Sequence, residues 1–261
     1  MNKFLKQKRF TLPREKIGEK SEAVCGGDMK YTKLAIIVML GLILSITASA
    51  TPIKAQDPPP YYAGYYFYGK EVPYASGVSG KIYTINPEVP GTNYFAQWVT
   101  VMLSLRNRYW IQIGYAKDLA HTGLTLLFYI EILDAWGHRW HWISTPKPQE
   151  GIVYKYTIVP AYSNNEWKCT IEREGNSIFE ALKETNPFDC VDLEAFSETG
   201  IGEINIDGTH FSELSYFTGR GFPLWDHHVP HADSPYYLKE IADSSFTPME
   251  VVSHKEYESC T

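Results

Sequence analysis

The 261-residue sequence has only four cysteines, no Cys-x-x-Cys pair and no Gly-x-Ser-x-Gly motif. The first absence argues against a structural zinc site of the usual spacing. The second removes the elbow that presents the nucleophile in many serine hydrolases. No long amphipathic helix follows the N-terminal region, and no internal repeat is visible. What remains is an aromatic-rich chain whose short apolar runs are separated by glycine and proline.

Positive charge is also scarce outside the N-terminus. The whole chain carries 24 Lys and Arg against 30 Asp and Glu, a formal net charge of −6. Residues 1–50 hold 9 of the basic and 4 of the acidic residues, which leaves 15 against 26 and a net charge of −11 for the rest. An acidic body argues against nucleic acid or an anionic lipid surface as a partner.

The N-terminal segment, residues 1–50, has the pattern of a basic leader followed by an export signal. An uninterrupted apolar run at 34–46 precedes the small residues Ala48-Ser49-Ala50, a pattern that signal peptidase accepts. The run is shorter than the roughly 20 residues that span a bilayer, which favours a cleaved signal peptide over a permanent anchor. A secreted or extracellular protein is expected, attached to a membrane only if this segment is retained. Met29 opens a compact basic region and is a candidate for the true start.

The cysteines agree with an exported protein that carries one disulfide. Cys25 lies upstream of the apolar run, and Cys260 lies close to the C-terminus. An oxidising exterior permits a bond between the remaining two, Cys169 and Cys190, and this pairing is the one expected.

Short strand patterns fill the rest of the chain after a Pro-rich spacer at 51–60. Runs of β-branched and aromatic residues alternate with turn residues, which is typical of an all-β sandwich or barrel. Strands are predicted at 80–85, 94–103, 109–115, 125–133, 139–143, 152–159, 167–171, 190–196 and 202–206. We expect one sandwich domain over 61–232, followed by a tail at 233–261.

One polar side chain, Gln112, interrupts an aromatic and β-branched strand. Successive side chains of a strand point to opposite faces. Ile111 and Ile113 therefore share one face, which is predicted to be the core face, and Trp110 and Gln112 share the other. Gln112 would then project beside an indole from a surface that could hold a ligand.

Carboxyl groups follow the same alternation on two other strands. Tyr129 and Glu131 share one face of a strand whose opposite face is apolar. Asp192 and Glu194 share one face of a later strand, again opposite apolar residues. Two carboxylates on one face of such a strand predict a cleft rather than a core.

The order of these motifs resembles the glutamic peptidases of the eqolisin (G1) family. The resemblance extends over about residues 61–215. It implies a concanavalin A-like jelly-roll β-sandwich of two antiparallel sheets, with one Gln and one Glu as catalytic dyad. The matching segments are Tyr62-Ala63-Gly64, Pro87-Glu88-Val89-Pro90, Gln97-Trp98-Val99, Ile111-Gln112-Ile113-Gly114, Tyr129-Ile130-Glu131 and Val191-Asp192-Leu193-Glu194-Ala195-Phe196.

By this resemblance, Gln112 and Glu194 are the catalytic dyad. Glu194 would take a proton from water as the water attacks a peptide carbonyl, and would then return it to the leaving amine. The Gln112 amide would donate to the oxyanion of the tetrahedral intermediate. The side chains implied to bind substrate in the same cleft are Trp98, Tyr129, Glu131 and Trp110.

The resemblance implies an endopeptidase that acts on polypeptides in acid and needs no cofactor. Separately, the protein is expected to be a monomer. Like charge from Asp192 and Glu131 is expected to raise the pKa of Glu194. The sequence departs from the family at 99–102, where a Gly-rich stretch with an aspartate is replaced by Val-Thr-Val-Met. It departs again at Ile113, which replaces the usual threonine.

Two other features suggest a non-catalytic protein that binds carbohydrate or protein. Trp140 and Trp142 point the same way on a strand and could stack on a sugar ring or a peptide. His227, His228 and His231 lie among carboxylates and are weak candidates for a transition-metal site. The irregular spacing of these histidines is more typical of a metal-free surface loop.

Overall fold

The computed structural model describes residues 59–68, 75–161, 165–186, 192–242 and 244–250. Among these residues, no helix has the length and apolar character needed to cross a membrane. The predicted export segment, most of the Pro-rich spacer and Cys190 lie outside the described residues.

Fourteen strands are present in the described residues, all of them paired antiparallel. The strands are β1 (Tyr61–Tyr68), β2 (Val78–Tyr83), β3 (Tyr94–Ser104), β4 (Tyr109–Asp118), β5 (Leu127–Asp134), β6 (Gly137–Ile143), β7 (Val153–Pro160), β8 (Glu166–Arg173), β9 (Asn176–Glu184), β10 (Asp192–Thr199), β11 (His210–Tyr216), β12 (Val229–Ala232), β13 (Tyr236–Ala242) and β14 (Ser245–Glu250).

The strands form two seven-stranded sheets. The first sheet has the order β12-β1-β10-β3-β4-β5-β6, and the second has the order β13-β14-β11-β2-β7-β8-β9. The prediction of an all-β protein with two antiparallel sheets is confirmed. The consecutive strands β3 and β4 lie at the centre of the first sheet, where β10, which comes much later in the sequence, becomes the other neighbour of β3.

The core lies between the two sheets and follows the alternation expected from the sequence. Ile111 and Ile113 of β4 are fully buried in it, together with Phe128 of β5. Tyr156 and Ile158 of β7 belong to the same apolar cluster. The predicted core face of β4 is therefore confirmed, and Gln112 lies on the other face of the first sheet.

A polar cluster within this core ties the first sheet to the loops around it. The Tyr115 hydroxyl donates to Gln97 Oε1 at 2.5 Å and accepts from the Ile85 N–H at 3.0 Å. Gln97 Nε2 donates to the Ser197 hydroxyl at 3.0 Å and to the hydroxyl of Thr209. Because each of these groups is buried, the hydrogen bonds offset the cost of removing them from water.

The predictions were wrong at the C-terminal end of the domain. Residues 202–206 form no strand, and the next strand is β11. The predicted tail at 233–261 contains β13 and β14, which extend the second sheet beyond β11. Tyr236 and Phe246 of these strands are buried in the core. The sandwich therefore extends to residue 250, because its core needs these apolar side chains.

Cys169 is a free thiol among the described residues, and because Cys190 lies outside them the predicted disulfide stays a prediction. Cys169 lies in β8 between Ile158 and Ala181 of the neighbouring strands and is fully buried in the core. Burial raises the pKa of this thiol to about 12. An apolar environment of this kind keeps a cysteine protonated and unreactive.

Candidate active site

The face of the first sheet that points away from the core forms a cleft of about 850 Å³. Strand pairing aligns one row of side chains across five strands of this sheet, namely Glu194, Thr100, Gln112, Glu131 and Trp140. Gln112 and Glu194, which are 82 positions apart in the chain, are thus separated by a single strand, β3.

An aromatic row lies beside the polar one. It contains Phe196, Trp98 and Tyr129, and Gly114 lies between the last two in the pairing. A Cβ at Gly114 would lie 1.9 Å from the backbone oxygen of Gln97, so a larger residue cannot be accommodated without moving a strand. The predicted substrate-binding residues Trp98, Tyr129, Glu131 and Trp110 all line the cleft, as do Gln112 and Glu194.

Gln112 is held by three side chains and is only 7% exposed. Its Nε2 donates to the Tyr129 hydroxyl at 3.0 Å and to Glu131 Oε2 at 2.5 Å. Its Oε1 accepts from the Thr100 hydroxyl at 3.3 Å. The amide is therefore fixed on a rigid strand, as a preorganised hydrogen-bond donor would need to be.

Glu131 is buried and has a second partner, His138 on β6. Its Oε1 is hydrogen-bonded to His138 Nε2, while its other oxygen accepts from Gln112. Burial, and secondarily the charge of Glu198, raise the pKa of Glu131 to about 8. Burial lowers the pKa of His138. The sequence analysis did not identify His138 as a site residue. His138 pairs with Leu133 across the β5–β6 hairpin, which places it beside the strand that carries Glu131.

Glu194 lies on the β1 side of the cleft. Burial, and secondarily the charge of the neighbouring Asp192, raise its pKa to about 7. The charge of Glu194 acts on Tyr62 and Tyr66, whose pKa values it helps to raise. The predicted effect of Asp192 is confirmed, although burial is the larger cause.

Glu198 is a third cleft carboxyl, and the sequence reasoning missed it. Its two oxygens accept from the Tyr94 hydroxyl at 2.7 Å and from Trp98 Nε1 at 3.0 Å. Burial raises its pKa, while these donors oppose the rise because they stabilise the ionised form. The predicted strand ended at Phe196, whereas β10 extends to Thr199. Continuing the same alternation by two residues would have placed Glu198 on the cleft face.

The two β10 carboxyls differ in their relation to Gln112. The charge of Glu198 raises the pKa of both Glu131 and Tyr129, the two side chains to which Gln112 donates. Glu194 has no such effect on either of them. Glu198 is therefore the β10 carboxyl that is electrostatically coupled to the Gln112 environment.

An aromatic wall closes the β6 side of the cleft. Trp140 and Trp142 point the same way, as predicted, with their rings stacked 5.4 Å apart at 7°. The imidazole of His121 stacks on Trp142 at 5.5 Å. Trp140 remains 42% exposed, so part of this wall is open to a ligand.

The three histidines of the 226–233 segment do not converge. His227 stacks on Phe67 and His228 stacks on Tyr65, both of which are core residues. His231 pairs with Gly64 and lies beside the cleft aromatic Phe196, on the other face of the sheet. No group of three potential metal ligands occurs among the described residues. His227 and His228 thus lie on the core side of the sheet and His231 lies on the cleft side, which argues against the three histidines as one metal site.

No protein-family model matches the sequence, and no curated protein matches it significantly. Solved structures do match. Scytalido-glutamic peptidase in complex with a peptide-based transition state analogue has a TM-score of 0.55 at 11% identity, over 73% of this chain and 98% of that chain. SCP-B, a member of the eqolisin family of peptidases in a complex with the tripeptide Ala-Ile-His, has a TM-score of 0.50 with the same identity and coverage.

These likenesses define the class of fold, a peptidase-like sandwich of two antiparallel sheets. More specifically, the chain has the fold of the glutamic peptidases of the eqolisin (G1) family or a related fold.

Proposed function

We propose that this protein is an exported glutamic endopeptidase that cleaves polypeptides in acid. The observation that carries the proposal is the presence of a fixed glutamine amide, Gln112, and two half-buried carboxyls of β10 along one open cleft. The solved structures that share the fold include peptidases in complex with a peptide-based inhibitor and a tripeptide. We extend this class of ligand, peptides, to the cleft of the present protein. We also assign the protein the jelly-roll topology of the eqolisin family.

The chemistry needs one ionised carboxyl and one hydrogen-bond donor. The carboxylate takes a proton from water as the water oxygen attacks the peptide carbonyl carbon. An N–H of Gln112 donates to the developing oxyanion, a contribution of about 3 kcal/mol by analogy with other such donors. The protonated carboxyl then returns the proton to the amine as the C–N bond breaks. No metal or nucleophilic side chain is required by these steps.

The resemblance in sequence assigned the carboxyl role to Glu194, which strand pairing places in the same row as Gln112. We assign the role to Glu198 instead, for reasons of hydrogen bonding and electrostatics. Burial raises the pKa of Glu198, but donors from Trp98 and Tyr94 hold both of its oxygens and oppose that rise, because they stabilise the ionised form that a general base needs. The charge of Glu198 also helps to raise the pKa of Glu131 and of Tyr129, the two side chains to which Gln112 donates. Burial and the charge of Asp192 raise the pKa of Glu194, which pairs with Tyr66 of β1 and takes the role of a substrate contact in this proposal.

Cleavage of a denatured protein by the purified full chain, measured from about pH 2 to about pH 8, tests this assignment. Glu198→Gln is expected to lose activity by about 100-fold or more, while Glu194→Gln retains most of it. The matched control is Glu180→Gln, the same chemical change on the exposed face of β9. If the wild type is no faster than a Glu194→Gln, Glu198→Gln double variant at any pH, the protein is not a glutamic peptidase. If Glu194→Gln loses activity and Glu198→Gln does not, the general base is Glu194.

A second candidate function rests on the aromatic wall. Stacked, partly exposed indoles such as Trp140 and Trp142 suit the apolar face of a sugar ring. A non-catalytic protein that binds carbohydrate or another protein would retain a ligand in the Glu198→Gln variant and lose it in Trp140→Ala. Oligosaccharide binding by the first variant and not by the second would support this alternative.

A further inference from the structure

The side-chain amide of Gln112 has its hydrogen-bonding capacity engaged within the protein. Both N–H groups of Nε2 have partners, the Tyr129 hydroxyl at 3.0 Å and Glu131 Oε2 at 2.5 Å. The amide oxygen accepts from Thr100. In this arrangement no N–H is left to donate to the oxyanion of a substrate. The proposed reaction therefore needs a change in these contacts.

The two ends of an amide have nearly the same size, so its orientation is decided by its partners. The hydroxyls of Tyr129 and Thr100 can each donate or accept, and so fit either orientation. Glu131 is different. As a carboxylate it only accepts and therefore binds Nε2, whereas as a carboxylic acid it can donate its O–H to the amide oxygen.

We propose that Glu131 is a positioning residue whose protonation turns the side-chain amide of Gln112, so that an N–H becomes available to the substrate. In the turned orientation, Oε1 accepts from both Glu131 and Tyr129. Nε2 then lies beside Thr100, on the side of β10. One N–H donates to the Thr100 hydroxyl, and the other is free for the carbonyl oxygen of a bound peptide. The inference rests on the proposed peptidase function.

The partner on the other side of Glu131 is compatible with both states. His138 Nε2 is bonded to Oε1, and the bond to Gln112 is made by Oε2. In acid, a protonated His138 donates to Oε1 while the acidic proton on Oε2 faces Gln112. In base, neutral His138 still donates from Nε2 to the carboxylate. Protonation of Glu131 thus changes the contact with Gln112 without breaking the contact with His138.

Several other titratable groups share the cleft with Glu131. Those other than tyrosine are Arg108, Asp118, His121, His138, Glu194 and Glu198. Glu198 favours the protonated form of Glu131, and a protonated His138 opposes it. The tyrosines that line the cleft, Tyr62, Tyr66, Tyr94 and Tyr129, have raised pKa values because of burial, so their hydroxyls stay neutral. Burial of Glu131 is the largest influence and favours its neutral form.

The variant Glu131→Gln tests the inference, because His138 donates to the new amide oxygen and directs the new Nε2–H toward Gln112. This imitates the protonated state at every pH. The pH profile of kcat/KM for the full chain is expected to keep its acid limb and to lose the fall that accompanies ionisation of Glu131. About one pH unit above the midpoint of the wild-type alkaline limb, the variant should retain roughly tenfold more of its maximal activity.

A reduction of kcat/KM by the same factor at every pH, with the alkaline limb unmoved, would show that Glu131 has only a structural role. Glu180→Gln serves as the control and should reproduce the wild-type profile.

The side-chain amide NMR signals of Gln112, assigned by their absence in Gln112→Ala, give a readout that needs no activity. The chemical shifts of these signals should change with pH in the wild type and stay constant in Glu131→Gln. If the wild type cleaves nothing, the proposed function fails, and the NMR titration still decides the orientation of Gln112. Signals that do not titrate in the wild type overturn the inference.

Discussion

Glu131 should make the stability of this protein depend on pH in an unusual direction. Its side chain is 5% exposed, and its pKa is raised from the ordinary 4.5 to about 8. The folded protein therefore binds a proton that the unfolded chain releases at intermediate pH. Stability is unaffected by this group below about pH 4.5 and falls as the pH rises through the range up to 8.

The size of this effect follows from the two pKa values. Each pH unit between 4.5 and about 8 lowers the free energy of unfolding by about 1.4 kcal/mol, so the full loss is about 5 kcal/mol as an order of magnitude. Glu131→Gln keeps the shape and hydrogen-bonding capacity of the side chain but carries no charge. It should therefore leave stability near pH 4 unchanged and raise it progressively toward pH 8.

Urea denaturation at several pH values, followed by tryptophan fluorescence, measures this difference directly. Subtracting the wild-type values cancels the contributions of other titrating groups that the substitution does not touch. Glu180→Gln is the matched control and should change the free energy of unfolding by less than about 0.5 kcal/mol at every pH. A difference between Glu131→Gln and the wild type that is the same at pH 4 and pH 8 would refute the reasoning, because it would show that Glu131 stays charged in the fold.

Three further substitutions test other contacts of the site and its support. Trp98→Phe removes the N–H that donates to Glu198 and should raise the pKa of that carboxyl, seen as a shift of the acid limb of kcat/KM to higher pH. Gly114→Ala places a Cβ 1.9 Å from the backbone oxygen of Gln97 and should lower the melting temperature strongly or prevent folding, measured by circular dichroism. Tyr115→Phe leaves the buried Gln97 Oε1 without its donor and should cost about 1–3 kcal/mol in urea denaturation.

The last two of these substitutions have a control of the same chemistry in a different setting. Gly221→Ala adds a methyl group where no atom lies within 4 Å and should leave the melting temperature nearly unchanged. Tyr83→Phe alters an exposed tyrosine and should cost less than Tyr115→Phe. An acid limb that stays in place in Trp98→Phe would contradict the assignment of Glu198 as the base. Equal effects in either control pair would contradict the packing and hydrogen-bonding arguments.

The site illustrates how far the alternation of strand residues reaches. The period of two placed Gln112 opposite the core, and Tyr129 and Glu131 on one face, because the direction of a side chain depends on its own strand alone. The buried isoleucines of β4 confirm this. The order and spacing of the motifs also indicated the glutamic peptidase resemblance, with which the shared fold agrees.

The alternation of residues along a strand could not predict which strands pair over long distances in the sequence. Glu198 was missed because the predicted strand stopped two residues early, and its donors Tyr94 and Trp98 come from a strand about 100 residues away. The C-terminal strands β13 and β14 were assigned to a tail, since nothing local shows that their apolar side chains complete a distant core.

From the order of residues alone it follows which side chains share a face, where charge and apolar runs concentrate, and that strands dominate the chain. These properties depend on neighbouring residues and on the backbone geometry of an extended strand. Only the tertiary structure decided which faces meet, and hence that Glu131 contacts both Gln112 and His138, that the three histidines separate, and that Cys169 is buried as a thiol. The reason is that register and strand order are set by burial of the whole core, to which residues from β1 to β14 contribute together.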